Sequence, residues 1–336
     1  MGKDIVKILL SCNHHYPAYP SDATSMAGRS TGSGNHIHDL VARGLAELGH
    51  DVRYLLKGVN EPLPVGVEFV SSLPSDVDIY HTMAYRDYEY VRVMLERKVP
   101  WLNSCHLDVR VRGNRRPPTS SNWIYASEAM ARSFDSRRFV TNGMNPDDFI
   151  FDEGADDYLL FLCGLDYVRE KGIETAFWLA RQAGIELVVA GVSRHPSVIE
   201  DVREMCRKNK ARFVGPVYGR HKSELMARAR AVLHPSRLRE ACPLTIIEAM
   251  FSGTPVLSSD QGACPDMIVP GAGFVCSTDK DYLDAFNRLD EIDPHFCRAH
   301  AMEHFHYLRM ARDYVREYER EINNPNFPEP PEPHDS

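Results

Sequence analysis

The sequence predicts an α/β protein built from two doubly wound, Rossmann-like domains facing a central cleft. Three observations carry that expectation. Short apolar runs alternate with amphipathic helical stretches along most of the chain. The alternation pauses at a polar, acidic stretch near Asn145–Asp157 and then restarts. The 336 residues are enough for about two domains.

The elements follow in order. Ile5–Cys12 reads as a buried strand, followed by a loop rich in Gly, Ser, Pro and His that ends in Gly32-Ser33-Gly34. Residues 35–48 carry the apolar stripe Ile37, Leu40, Val41, Leu45 and Leu48, and Gly49 stops the helix. Asp51–Leu56 is the next strand, which completes a strand–helix–strand unit of parallel type. Val77–Tyr80, Trp101–Cys105, Trp123–Ala126 and Phe139–Thr141 are short strand candidates, with helices over 86–98 and 127–133. After the pause, strands are expected at Tyr158–Cys163, Ile185–Ala190, Arg212–Val214, Ala231–His234 and Pro255–Ser258. Helices over 172–183, 197–209, 222–229 and 243–252 separate or follow them. Residues 294–323 form one or two terminal helices. The expected division is 1–150 and 151–322, the last helix being able to return to the first domain. The Pro-rich, acidic tail 323–336 reads as disordered.

Composition narrows the function. The net charge is −8, and all the excess acid lies after residue 150, where 30 acidic residues face 22 basic ones. The first 150 residues hold 17 of each. A broad basic face for nucleic acid is therefore not expected. The eight cysteines include no Cys-x-x-Cys pair and several sit in apolar runs, a pattern of buried thiols in a reducing compartment. The N-terminal residues resemble no leader, and no apolar run reaches ~18 residues, so a cytoplasmic location is expected. His14, His15, His36 and His38 lack acidic partners at ligand spacing, so no metal and no cofactor is expected.

The chemistry concentrates between Pro235 and Met250. Glu240 precedes a helix and Glu248 lies one turn inside it, eight residues on. Pro243 suits the helix start, and the first N–H groups there, from Leu244 and Thr245, favour an anion. A carboxylate at Glu248 could accept both hydroxyls of a ribose diol. Taken alone, two such glutamates would read as ordinary solvated acids. Their neighbours change that reading.

The run Pro-Ser-(three)-Glu-(seven)-Glu-Ala-Met-(two)-Gly-Thr-Pro-Val from Pro235 resembles the donor-site signature of the retaining GT-B glycosyltransferases of family four, also called group 1. Gly262 to Ile268 resembles that family's Gly-Gly-x-x-Glu segment, and Asn142 to Phe149 its Asn-Gly-Val-Asp linker. Gly164 to Gly172 resembles its Gly-Arg-(five)-Lys-Gly phosphate loop. The resemblance implies a GT-B fold and a transferase that takes sugar from a nucleotide-diphosphate donor, with UDP the expected carrier. It implies that Glu248 binds the ribose, that Glu240 lies beside the transferred sugar, and that Lys171 meets the leaving diphosphate. Backbone from Ala241, Cys242, Pro243, Leu244 and Thr245 would meet sugar and pyrophosphate, as would Gly32, Gly34 and Gly164. His106, at a strand end, would face the transferred sugar. One departure stands out: Leu165 occupies the position of the family's arginine, and Arg169 is the nearby replacement cation. Arg110, Arg112, Arg115 and Arg116 form a basic stretch suited to an anionic acceptor or a membrane surface. The acceptor is a glycan, a lipid-linked molecule or a small molecule. A nucleotide-sugar epimerase or hydrolase, and a non-catalytic binder, are the alternatives.

Overall fold

The computed structural model describes residues 5–19, 33–83, 88–106 and 121–328. The chain divides into two compact units, Met1–Met144 with His306–Ser336 and Asn145–Phe305.

The first unit is a six-stranded, all-parallel sheet. Its strands are β1 (Lys7–Tyr16), β2 (Asp51–Val59), β3 (Val67–Val70), β4 (Ile79–Thr82), β5 (Trp101–Cys105) and β6 (Trp123–Tyr125), in the order β3-β2-β1-β4-β5-β6. β1 runs beyond the expected Cys12, because an irregularity between Cys12 and His15 lets it continue beside β2 as far as Tyr16. β3 escaped the sequence reading because all four of its residues are half-buried or exposed, which leaves no apolar run to detect. Phe139 makes only an isolated bridge to Tyr125 and not a strand. Helices α1 (Ser33–Glu47) and α2 (Tyr88–Glu96) lie between strands, and α3 (Glu128–Ser133) follows β6. Ser127 caps α3 by accepting from Met130 N.

The second unit repeats the plan. Its strands are β7 (Tyr158–Gly164), β8 (Glu186–Val192), β9 (Arg212–Gly215), β10 (Ala231–His234), β11 (Val256–Ser259) and β12 (Gly273–Cys276), in the order β12-β11-β10-β7-β8-β9 and all parallel. Counted from its own first strand, each sheet has the order 3-2-1-4-5-6 of a doubly wound fold. The helices are α4 (Ile173–Ala183), α5 (Pro196–Lys208), α6 (Gly219–Ala227), α7 (Leu244–Phe251), α8 (Cys264–Met267), α9 (Asp279–Phe286) and α10 (Pro294–His304). β12 and α9 extend the alternation past Ser258; β12 is a four-residue edge strand whose burial is mixed, so its sequence carries no clear period. The division between units falls at Met144/Asn145 and not at residue 150. Asn145 accepts from Asp147 N and donates to Asp148 Oδ1 at 3.1 Å, so it already belongs to the turn that opens the second unit.

The final helix, α11 (Tyr307–Asn323), returns to the first unit. Gly44 of α1 makes that packing possible, since a Cβ there would lie 2.7 Å from the Ala311 Cβ. Tyr307 donates to Glu47 Oε2 at 2.7 Å. Tyr318 joins His81 of β4, and Tyr314 joins Ser104 of β5, at 2.7 and 2.9 Å. Gly143 of the linker motif is required sterically as well: its Cβ would stand 2.8 Å from His306 O. The tail is ordered further than its composition suggests. Trp101 Nε1 donates to Pro328 O and Asn122 Nδ2 to Asn326 O, so residues up to 328 lie along the first unit. Residues 329–336 lie outside the described set.

Among the described residues no helix is long and apolar enough to cross a membrane. All eight cysteines are free, and seven are buried.

Substituting Gly44 by Leu should force α11 off α1 and lower the unfolding free energy by about 1–3 kcal/mol, read by urea denaturation. An unchanged midpoint would contradict the close packing of Gly44 on Ala311.

Candidate functional site

In a doubly wound sheet, ligands collect where the strand order reverses, beyond the carboxyl ends of the strands. In the second unit that point lies between β7 and β10. Gly164 ends β7 and the segment after it runs to Gly172, while the loop after β10 carries Pro235 to Pro243. The two loops interlock. Arg237 N donates to Glu170 O at 2.8 Å. Gly172, at φ 83°, comes so close that a Cβ would lie 2.0 Å from Pro235 O. Gly262, at φ 62°, does the same to Glu240, where a Cβ would lie 2.3 Å from both the backbone N and O. Ala263 N then donates to Glu240 O at 2.9 Å. The Gly262 motif is thus a clamp on the Glu240 backbone.

Three side chains converge on the Glu240 carboxylate. Lys171 Nζ lies 2.5 Å from Oε1, and Ser236 Oγ donates to the same oxygen at 2.6 Å. His234, the last residue of β10, places Nε2 at 3.5 Å from it. Burial works against charge on Glu240, but His234 and Lys171 outweigh it and hold the carboxyl well below the usual carboxylate range. Burial likewise works against charge on His234; Cys264 and Glu240 reverse the balance and push its pKa up to about 9. The centre is therefore a carboxylate flanked by two cations at neutral pH.

Helix α7 starts four residues after Glu240. Pro243 stands at the N-cap, with Ile246 N donating to its carbonyl. The N–H groups of Leu244 and Thr245, at the helix start, have no carbonyl one turn back within the helix to donate to, so the helix presents donors and a partial positive charge there. Leu244 and Thr245 are half-buried, as is Ala241, while Cys242 and Pro243 are buried. The sequence marks a stripe on this helix, but every residue from Ile246 to Phe251 is buried. α7 packs on neighbours on all sides, α10 and α6 included. Glu248 is buried with the rest, and Lys222 of α6 meets its Oε1 at 2.9 Å.

The Gly164–Gly172 segment, expected to meet phosphate, carries no cation at its first expected cation position. Leu165 is fully buried in the apolar core and packs against Gly191, where a Cβ would come 2.6 Å from its Cδ2. Arg169 is 69% exposed and pairs with Glu174 at 2.8 Å. At Gly164 a Cβ would meet nothing within 4 Å, so no protein atom demands glycine there.

In the first unit, Gly34 and His106 come together: a Cβ on Gly34 would stand 3.6 Å from His106 Cβ. His106 follows β5 and is half-buried, with both ring nitrogens shut off from solvent. Burial pushes its pKa down to about 4, with Asn142 acting weakly the other way. His81 is pushed down to about 3 by burial, and the rings of His38 and His81 stand 4.9 Å apart. These imidazoles are neutral at pH 7. Gly32, Arg110, Arg112, Arg115 and Arg116 lie outside the described residues. Among the described residues no group of three His, Cys, Asp or Glu side chains forms a cage for a metal ion.

Lys222, His234 and Ser236 are the site residues that sequence reasoning did not single out. His234 ends an apolar run and reads as strand. Lys222 lies 26 residues before Glu248 in a basic stretch that reads as solvated surface.

This geometry defines a class. The fold is that of the GT-B glycosyltransferases, with a polar centre at the switch point of the second sheet. Residues 156–291, which include that centre, match the family model for glycosyl transferases group 1, so the resemblance read from the motifs is borne out over that span. Solved structures agree on the fold. AviGT4, a glycosyltransferase involved in avilamycin A biosynthesis, is 21% identical with a TM-score of 0.72, over 95% of this chain and 98% of that one. Sucrose-phosphate synthase from Thermosynechococcus elongatus is 18% identical with a TM-score of 0.68, over 95% and 99%. Anabaena HepE, solved with UDP and glucose, is 13% identical with a TM-score of 0.68, over 94% and 99%. No curated protein matches the chain by sequence.

A histidine whose pKa is raised from 6.5 to about 9 by folding stabilises the fold most below pH 6.5, and that contribution fades as pH rises through 9. The stability difference between the native protein and His234→Gln should therefore shrink between pH 6.5 and 9.5, measured by denaturant titration at each pH. Parallel curves would contradict a charged His234.

Proposed function

We propose that this protein is a retaining, metal-independent glycosyltransferase acting on a nucleotide-diphosphate sugar, with UDP as the carrier. The observation that carries the reading is the Lys171–Glu240 pair at the sheet's switch point, directly before the start of α7 and with Glu248 one turn inside that helix. The fold similarity to HepE, solved with UDP and with UDP-glucose, supports the choice of UDP.

In this reading the diphosphate lies over the first turn of α7, held by the Leu244 and Thr245 amides and by Lys171. The ribose diol donates both hydroxyls to Glu248. As the bond between the anomeric carbon and the phosphate oxygen breaks, negative charge grows on the leaving group, and Lys171 and the helix start stabilise it. These groups do the work a divalent cation does elsewhere. Glu240 is held ionised, so it acts as an acceptor beside the transferred sugar and not as a proton donor. The acceptor hydroxyl attacks from the face the phosphate leaves. The new carbon–oxygen bond forms there, and the hydroxyl proton passes to the departing phosphate. His106, neutral at pH 7, would reach a sugar hydroxyl only once ligand binding uncovers its ring nitrogens, which are shut off from solvent without a ligand. We assign the acceptor to the first unit; it is a glycan, a lipid-linked molecule or a small molecule, and Arg110 to Arg116 suit an anionic one or a membrane surface. Eight free thiols suit a cytoplasmic location.

The second reading is a binder without turnover, which the burial of Leu165 in place of a phosphate cation favours. A panel of UDP-sugars assayed for UDP release, with and without glycan acceptors, separates them. Acceptor-dependent release is expected. Lys171→Ala should lower kcat by about 10²–10³-fold, and Glu248→Ala should chiefly weaken donor binding. Near-normal turnover in Lys171→Ala would remove it from the diphosphate.

A further inference from the structure

We infer that Lys222 is a positioning residue for Glu248, and that it sets the preference of the site for a ribonucleoside diphosphate over a deoxy counterpart. The inference rests on the donor-site reading above but assigns a residue that reading does not use.

Glu248 is an isolated problem in an apolar helix. Its side chain is 7% exposed, and Ile246, Ile247, Ala249, Met250 and Phe251 beside it are all buried. An ionised carboxylate in such a place is stable only with a compensating partner. Lys222 Nζ, at 2.9 Å from Oε1, is that partner. The lysine is itself only 22% exposed, so water screens the pair poorly. Its helix is tied down from two sides. Ser223 Oγ accepts from Ile150 N at 2.6 Å, and Thr254 Oγ1 donates to Met226 O at 2.7 Å. Arg220 and Glu224 pair with each other on the exposed side of the helix, which leaves Lys222 to face α7.

The consequence is chemical. An ionised carboxylate is an acceptor only, with two oxygens and about four lone-pair positions. Lys222 occupies one of those positions and leaves the rest for two vicinal O–H donors. Without the ammonium, Oε1 loses the contact that fixes it, and the carboxylate is free to turn away from a pair of vicinal O–H groups. The effect is confined to the diol, because a ligand lacking both hydroxyls has nothing to lose.

Calorimetry on the full chain tests this. UDP, ADP and GDP are each titrated beside their 2′,3′-dideoxy forms into the native protein, Lys222→Met and Lys222→Arg, with thermal melts of every variant. The native protein should bind at least one ribonucleotide about 10-fold or more tighter than its dideoxy form. Lys222→Met should lose most of that ratio while its dideoxy affinity stays unchanged, and Lys222→Arg should keep the ratio. A ratio preserved in Lys222→Met overturns the role of Lys222 and leaves the donor site standing. Equal loss for both nucleotide forms reduces Lys222 to a structural residue and overturns the inference. A native protein that binds a diphosphate without discriminating the diol overturns it through Glu248. If none of the three diphosphates binds the native protein, the donor-site reading itself fails and the inference falls with it.

Discussion

Lys171 and Glu240 hold opposite charges 2.5 Å apart at the place where the second sheet reverses its strand order. Each charge is costly to bury alone, and each is tolerable because of the other. The surrounding backbone serves that pair. Gly172 lets the Lys171 loop close onto Pro235, and Gly262 lets its own segment press on Glu240 from the other side. Ser236 then donates to the carboxylate oxygen that Lys171 meets, with His234 Nε2 3.5 Å from it. The glycines of two separate motifs therefore have one purpose, which is to bring three loops within van der Waals distance of each other.

Under the proposed function, an acidic unit has to hold a diphosphate locally, and its charges suit that arrangement. Many of its acids are consumed in pairs on the surface, such as Arg212–Glu186 and Arg228–Asp156. Exposed pairs of this kind add little stability and no field at the centre. The positive potential comes from Lys171, His234 and the start of α7, all within one small neighbourhood. Lys222 repeats the device at Glu248. The half-buried Glu240 and the buried Glu248 thus each come with a lysine brought from a different helix or loop.

Much of this was legible in the sequence because the motifs are backbone requirements. A glycine that must reach φ 83°, or a proline at a helix start, leaves a mark that needs no partner to be read. The strand–helix rhythm likewise survives wherever a strand is buried on both faces, as in β7 and β10. It fails at the edges: β3 and β12 are four residues long and partly exposed, so no period betrays them. Side-chain partnerships were the other gap. Nothing local links Lys222 to Glu248 or His234 to Glu240, because those contacts exist only once separate βα units are stacked. The fate of Leu165 belongs here too. Its substitution for arginine was visible, but its burial against Gly191 was not, since that depends on the neighbouring strand β8.

Under the proposed function, Lys171 gives up part of its hold on Glu240 to a diphosphate lying over the first turn of α7. A crystal structure of the protein with bound UDP tests it most directly. The account predicts phosphate oxygens within about 3 Å of Lys171 Nζ and of the Leu244 or Thr245 amide, with the ribose on Glu248. A diphosphate bound elsewhere on the chain, with the Lys171–Glu240 pair intact and unshared, would contradict it.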